Sequence, residues 1–108
     1  MKLNFNEVKR PTLDIVLNDK EQTELTLITP AKYQVDEFIN MFECITKKNT
    51  KDITMDDLYL LASNVLSSNK EGKVIDVEKV KSIFMLDDII ILFKTYNEFI
   101  LGIYNLKN

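Results

Sequence analysis

The sequence predicts an α+β domain, mostly α: an N-terminal β-hairpin followed by a bundle of three or four helices. Three observations carry this expectation. Residues 12–28 alternate apolar and polar side chains around a polar turn. The pair Thr29-Pro30 marks a change of period. From Pro30 to Leu106 apolar residues recur at helical spacing. At 108 residues the chain is sized for a single domain, 1–108, because domains typically run to ~100–150 residues.

The hairpin comes first. Thr12 to Leu17 sets Leu13, Ile15 and Leu17 against Thr12, Asp14 and Val16, the period-two pattern of a half-buried strand. Asn18-Asp19-Lys20-Glu21 supplies turn chemistry, since Asn and Asp tolerate turn geometry. Gln22 to Ile28 is the second strand, with threonines at 23 and 26. A lone hairpin is marginal in water, so this one must pack on helices or pair with another chain. Ahead of it, Leu3 and Phe5 alternate with polar residues in a short run that Pro11 ends.

The helices follow. Thr29 is a candidate N-cap and Pro30 suits a first helical position, where its missing N–H is not needed. The first helix is expected from Pro30 to Lys48, with Val35, Phe38, Ile39, Met41, Phe42 and Ile45 on one side. Lys47 and Lys48 fall in its last turn, where the dipole favours cations. A second helix starts at Thr54, with Asp57 completing a capping arrangement. Its stripe is Met55, Leu58, Tyr59, Ala62, Val65 and Leu66. Residues 67–72 form a loop by composition. Asp76 can cap a third helix carrying Val77, Val80, Ile83 and Phe84, and Asp87 or Asp88 a fourth that runs to about Asn105. Met85-Leu86 carries no breaker, so the last two helices are either separate or continuous.

Composition narrows the function. There is no histidine, one cysteine and two glycines. The usual neutral-pH base is therefore missing, along with His-dependent zinc sites and Ser-His or Cys-His catalysis. One cysteine allows no internal disulfide, and two glycines make no phosphate-cradling loop. No enzyme activity and no cofactor are expected. The net charge of −3 and a single arginine, Arg10, argue against a nucleic-acid partner. The densest basic patch, Lys47, Lys48 and Lys51, fits a solvated helix end. The start of the chain has no apolar core of a signal peptide, and Lys94, Asn97, Glu98 and Asn105 interrupt the most apolar stretch. No membrane association is expected.

The acidic pairs Asp56-Asp57 and Asp87-Asp88 lie at helix starts, where carboxylates cap amides and complement the dipole. Cys44 sits at the edge of an apolar stripe without an activating base. Asp14, Asp19, Glu21 and Glu24 lack the spacing of a calcium loop and are expected to face solvent.

The last helix is the most informative. Ile89, Leu92, Phe93, Tyr96, Phe99, Ile100 and Ile103 share one face and account for a core stripe. Ile90, Leu101 and Tyr104 widen the apolar arc, and Ile91 falls among polar neighbours. A helix apolar over most of its girth is deeply buried or serves an interface. The candidate partner or oligomer interface is therefore Ile90, Ile91, Phe99, Leu101 and Tyr104, with homo-oligomerisation expected.

The layout resembles the tail assembly chaperones of long-tailed bacteriophages that infect Gram-positive hosts. The resemblance rests on Pro11 to Asp19 and Leu25 to Pro30, on the amphipathic stretch Val35 to Ile45, and on the apolar C-terminal helix with Phe93, Tyr96, Phe99 and Ile100. It spans most of the chain as a pattern and has no invariant motif. It implies a non-enzymatic assembly factor of the host cytoplasm. Such a factor binds the long, helical tape measure protein during tail morphogenesis and is absent from the mature virion. The alternatives are another helical interaction module or a minor structural virion protein.

Overall fold

The computed structural model describes residues 1–46 and 53–105. A two-stranded antiparallel hairpin, β1 (Leu13–Val16) and β2 (Glu24–Leu27), precedes four helices: α1 (Lys32–Thr46), α2 (Met55–Ser67), α3 (Val77–Ile83) and α4 (Leu86–Asn105). This is the expected α+β class. The expected patch of Lys47, Lys48 and Lys51 lies outside the described residues, as does Leu106.

The strands pair Leu13 with Leu27, Asp14 with Thr26, Ile15 with Leu25 and Val16 with Glu24. Each is shorter than the alternation it sits in, because the turn draws on the flanking residues. Asp19 accepts from the backbone N–H and the hydroxyl of Thr23, at 2.8 and 2.5 Å. Gln22 closes the turn at φ 50°, the left-handed region that side chains other than glycine rarely enter. Leu17, Leu25 and Leu27 are buried, so the alternation correctly marks the core face.

The hairpin does not stand alone. The loop after α2 runs along the outer edge of β2, where Ile28 N–H donates to Ser68 and Lys70 N–H to Thr26. Leu27 and Asn69 form an isolated antiparallel bridge there. Buried Asn69 donates to the carbonyls of Leu66 and Lys73 and accepts from Lys73 N–H. Gly72, at φ 72°, turns the chain back toward α3.

Two cap expectations hold and two need correction. Thr54 and Asp57 form a reciprocal capping box, and Asp76 caps α3 through Lys79 N–H. Thr29, however, does not cap α1. Its hydroxyl donates to Pro11 O, and α1 starts later, where Gln34 accepts from Ala31 N–H. Neither Asp87 nor Asp88 precedes α4 as a cap, because both lie in its first turn. Asp88 reaches back to accept from Met85 N–H. Helices α3 and α4 are separate, since Phe84 adopts an extended conformation between them.

Buried side chains from hairpin and helices form one cluster. Phe38 is its centre, 0% exposed, with its ring edge-on to Phe93 at 5.7 Å and to Tyr96 at 5.0 Å. Leu61, absent from the expected stripe of α2, is buried in this cluster, whereas Met55 is exposed. The molecule measures 51 × 35 × 18 Å. Its radius of gyration is 14.9 Å, against the ~13 Å of a rounder domain of this length. A slab this thin cannot surround α4.

Phe38→Ala removes the ring on which Phe93 and Tyr96 converge. It is expected to cost about 3–5 kcal/mol, read as a lowered urea midpoint and melting temperature. Leu60→Ala, on the exposed side of α2, is the control and is expected to change stability by less than about 1 kcal/mol.

Candidate functional site

The fold seats α4 on the face formed by Ile89, Leu92, Phe93, Tyr96 and Ile100, all buried. The five expected interface residues do not share one patch. Ile90, Leu101 and Tyr104 lie along one flank and are 40%, 50% and 62% exposed. Eleven residues of helix separate Ile90 from Leu101 by about 16 Å, with Lys94 and Asn97 between them on the same flank. Ile90 lines an apolar hollow of about 280 Å³ at one end, with Met55, Leu58 and Leu86. Tyr104 lines another of about 300 Å³ at the other end, with Pro30, Val35 and Ile103. Both hollows are open and apolar, shapes that accept side-chain anchors.

Phe99 is half-buried with its ring 6.0 Å from Tyr96, so it belongs to the edge of the core. Ile91, 60% exposed, lies on the other side of α4. There it borders a groove of about 240 Å³ against β1, with Ile15, Val16, Asn18, Phe84, Asp88, Leu92 and Thr95. This groove was not anticipated, but a signal for it exists. Val16 and Ile91 are apolar side chains that periodicity places on polar faces, and they line the same groove.

The carboxylates have structural partners. Asp57 completes a capping box, and Asp56 pairs with Lys81 at 3.1 Å. Asp88 accepts from Met85 N–H, just ahead of α4, and from Asn18 Nδ2 at 3.4 Å, while Asn18 also donates to Ile83 O at 2.7 Å. The side chain of Asp19, expected to face solvent, is 3% exposed and pairs with Lys79 at 3.1 Å. The Thr23 hydroxyl and amide hold its carboxyl well below the usual carboxylate range, with Lys79 adding to the effect. Burial pushes the Tyr96 phenol up to about 12. Cys44 is half-buried on α1. Among the described residues no group of three or more His, Cys, Asp or Glu side chains could hold a metal ion. No described helix is long and apolar enough to cross a membrane.

Asp19 binds its partners as the anion, so its contribution is full above the unfolded-state pKa of about 3.9. That contribution is lost as pH falls from there toward the lower folded-state value. Asp19→Asn is expected to lower the urea midpoint at pH 7 and to reduce the loss of stability on acidification below about pH 4. Urea midpoints of both proteins across the acid range check this, and parallel pH profiles would contradict it.

No family model, no curated protein and no solved structure matches the chain.

Proposed function

We propose that this chain is a non-enzymatic tail assembly chaperone of a long-tailed bacteriophage. In this reading it binds the helical tape measure protein in the host cytoplasm during tail morphogenesis and is absent from the finished virion. One observation supports the reading above the others: the exposed apolar residues Ile90, Leu101 and Tyr104 on one flank of α4, spaced by Lys94 and Asn97, with an apolar hollow at each end. A partner helix laid along this flank buries its own apolar stripe in exchange, as in helix-in-groove recognition. Tyr104 is suited to anchor it, because a tyrosine brings large contact area with few rotatable bonds. The structural use already made of Asp19, Asp56, Asp57 and Asp88 agrees with a binding role.

The mechanism is cover rather than chemistry. A long helical protein with an apolar stripe aggregates through that stripe until its assembly partners arrive. Each buried leucine-sized side chain contributes about 1.5–3 kcal/mol. A few such contacts hold a partner reversibly, so the growing tail tube can displace the chaperone.

Co-expression with the tape measure protein of the same phage tests the reading. The wild-type chain is expected to raise the soluble fraction of that protein. Leu101→Asp is expected to lose at least about tenfold in affinity, a ~1.4 kcal/mol effect, with an unchanged helical circular dichroism spectrum. Equal insolubility of the tape measure protein with and without this chain would overturn the proposal. So would a stoichiometric signal for this chain in mass spectra of purified virions.

A further inference from the structure

The sheet has one satisfied edge and one bare edge. On β2 the outward groups of Thr26 are taken: its N–H by the Glu71 carboxylate at 2.8 Å, its carbonyl by Lys70 N–H at 2.8 Å. Leu17 N–H donates to Thr23 O, which fixes the alternation of the ladder. With the pairs Ile15–Leu25 and Val16–Glu24, the N–H and C=O groups of Asp14 and Val16 therefore point away from β2. Among the described residues no other backbone group pairs with them. Beside this edge lies the apolar groove of Ile15, Val16, Phe84, Ile91 and Leu92, whose one charged lining residue is Asp88. Asp14 and Glu24 add negative charge to the exposed face of the hairpin. An unpaired strand edge beside apolar side chains is a template for a further strand.

The chain carries a segment of matching chemistry. Leu3, Phe5 and Val8 are 69%, 66% and 39% exposed and stand outside the core cluster. Leu3 and Phe5 have the spacing that puts two side chains on one face of a strand. Within residues 1–8 Lys2 and Glu7 cancel, and Lys9 and Arg10 directly after them supply the positive charge that complements the acidic edge. Phe5–Glu7 now form a short 3-10 turn capped by Asn4, held by local bonds from Glu7 N–H to Asn4 O, Val8 N–H to Phe5 O, Asn6 N–H to Asn4 Oδ1 and Arg10 to Phe5 O, and this turn must open for the segment to extend. Fully extended, eight residues reach about 26 Å, against about 13 Å for the four residues of β1.

We propose that segment 1–8 of one copy docks as a third strand on β1 of a second copy, reciprocally, giving a two-fold dimer. Leu3 and Phe5 fill the groove at Ile91, and the backbone supplies the partners that Asp14 and Val16 lack. Exchange between copies is favoured over folding back within one chain. Pro11 fixes its own φ and restricts Arg10 to extended conformations, and the Thr29 hydroxyl holds the Pro11 carbonyl at 2.8 Å. The segment therefore leaves past the end of β1 instead of returning beside it. Arm exchange of this kind is a low-cost route to a symmetric dimer.

Light scattering on size-fractionated full-length protein tests this, together with disulfide trapping. The wild-type chain is expected to have the mass of a dimer. Phe5→Asp and Ile91→Lys, both at exposed positions, are expected to halve that mass with unchanged helical spectra. Leu101→Asp is expected to remain dimeric, which separates this proposal from the tape measure reading. In a Cys44→Ser background, a Phe5→Cys chain mixed with an Ile91→Cys chain is expected to form an interchain disulfide under mild oxidation. A monomeric wild-type chain at high micromolar concentration would falsify the exchange. A dimer that survives Phe5→Asp, or one that Leu101→Asp dissolves, would equally overturn it.

Discussion

The arrangement of the sheet depends on how the outer edge of β2 is satisfied. Two strands expose more backbone than they pair, and an isolated hairpin is barely stable. Here the segment Ser68 to Glu71 supplies the missing partners, through two backbone hydrogen bonds and one carboxylate. Asn69 holds that segment in shape from inside, with its side chain replacing three backbone contacts that an irregular loop cannot make for itself. Because the loop joins α2 to α3, the same bonds fix the hairpin on the helices. They also leave the Asp14–Val16 edge as the unpaired side.

The secondary structure was largely legible because each element is locally consistent. Leu13, Ile15 and Leu17 alternate with Thr12, Asp14 and Val16, and Thr54 and Asp76 announce their helices by capping chemistry that the backbone uses as written. Errors arose where tertiary contacts competed for the same group. Thr29 is as good a cap as Thr54 by type, but its hydroxyl binds Pro11 across the hairpin. Asp19 has the composition of a solvated turn, yet Thr23 and Lys79, the latter sixty positions later in the chain, cover its carboxylate. Long-range partners of this kind leave no periodic trace.

The surfaces were legible in kind and only partly in place. Excess apolar girth on α4 correctly marked exposed apolar residues, because a slab 18 Å thick cannot enclose a helix. Wheel angles alone could not tell that Phe99 rests on Tyr96 while Ile91 faces the hairpin. Two apolar residues out of phase, Val16 and Ile91, were the trace of the groove. Each is unremarkable as a single exposed hydrophobe, and only the fold brings them together.

The thinness of the molecule also bears on how its stability responds to concentration. A slab has more surface for its volume than a sphere, so folding one copy removes a smaller share of apolar surface from water. By mass action, binding to the folded state alone raises apparent stability with the logarithm of ligand concentration. Under the arm exchange proposed above, dilution acts as a mild denaturant of this chain.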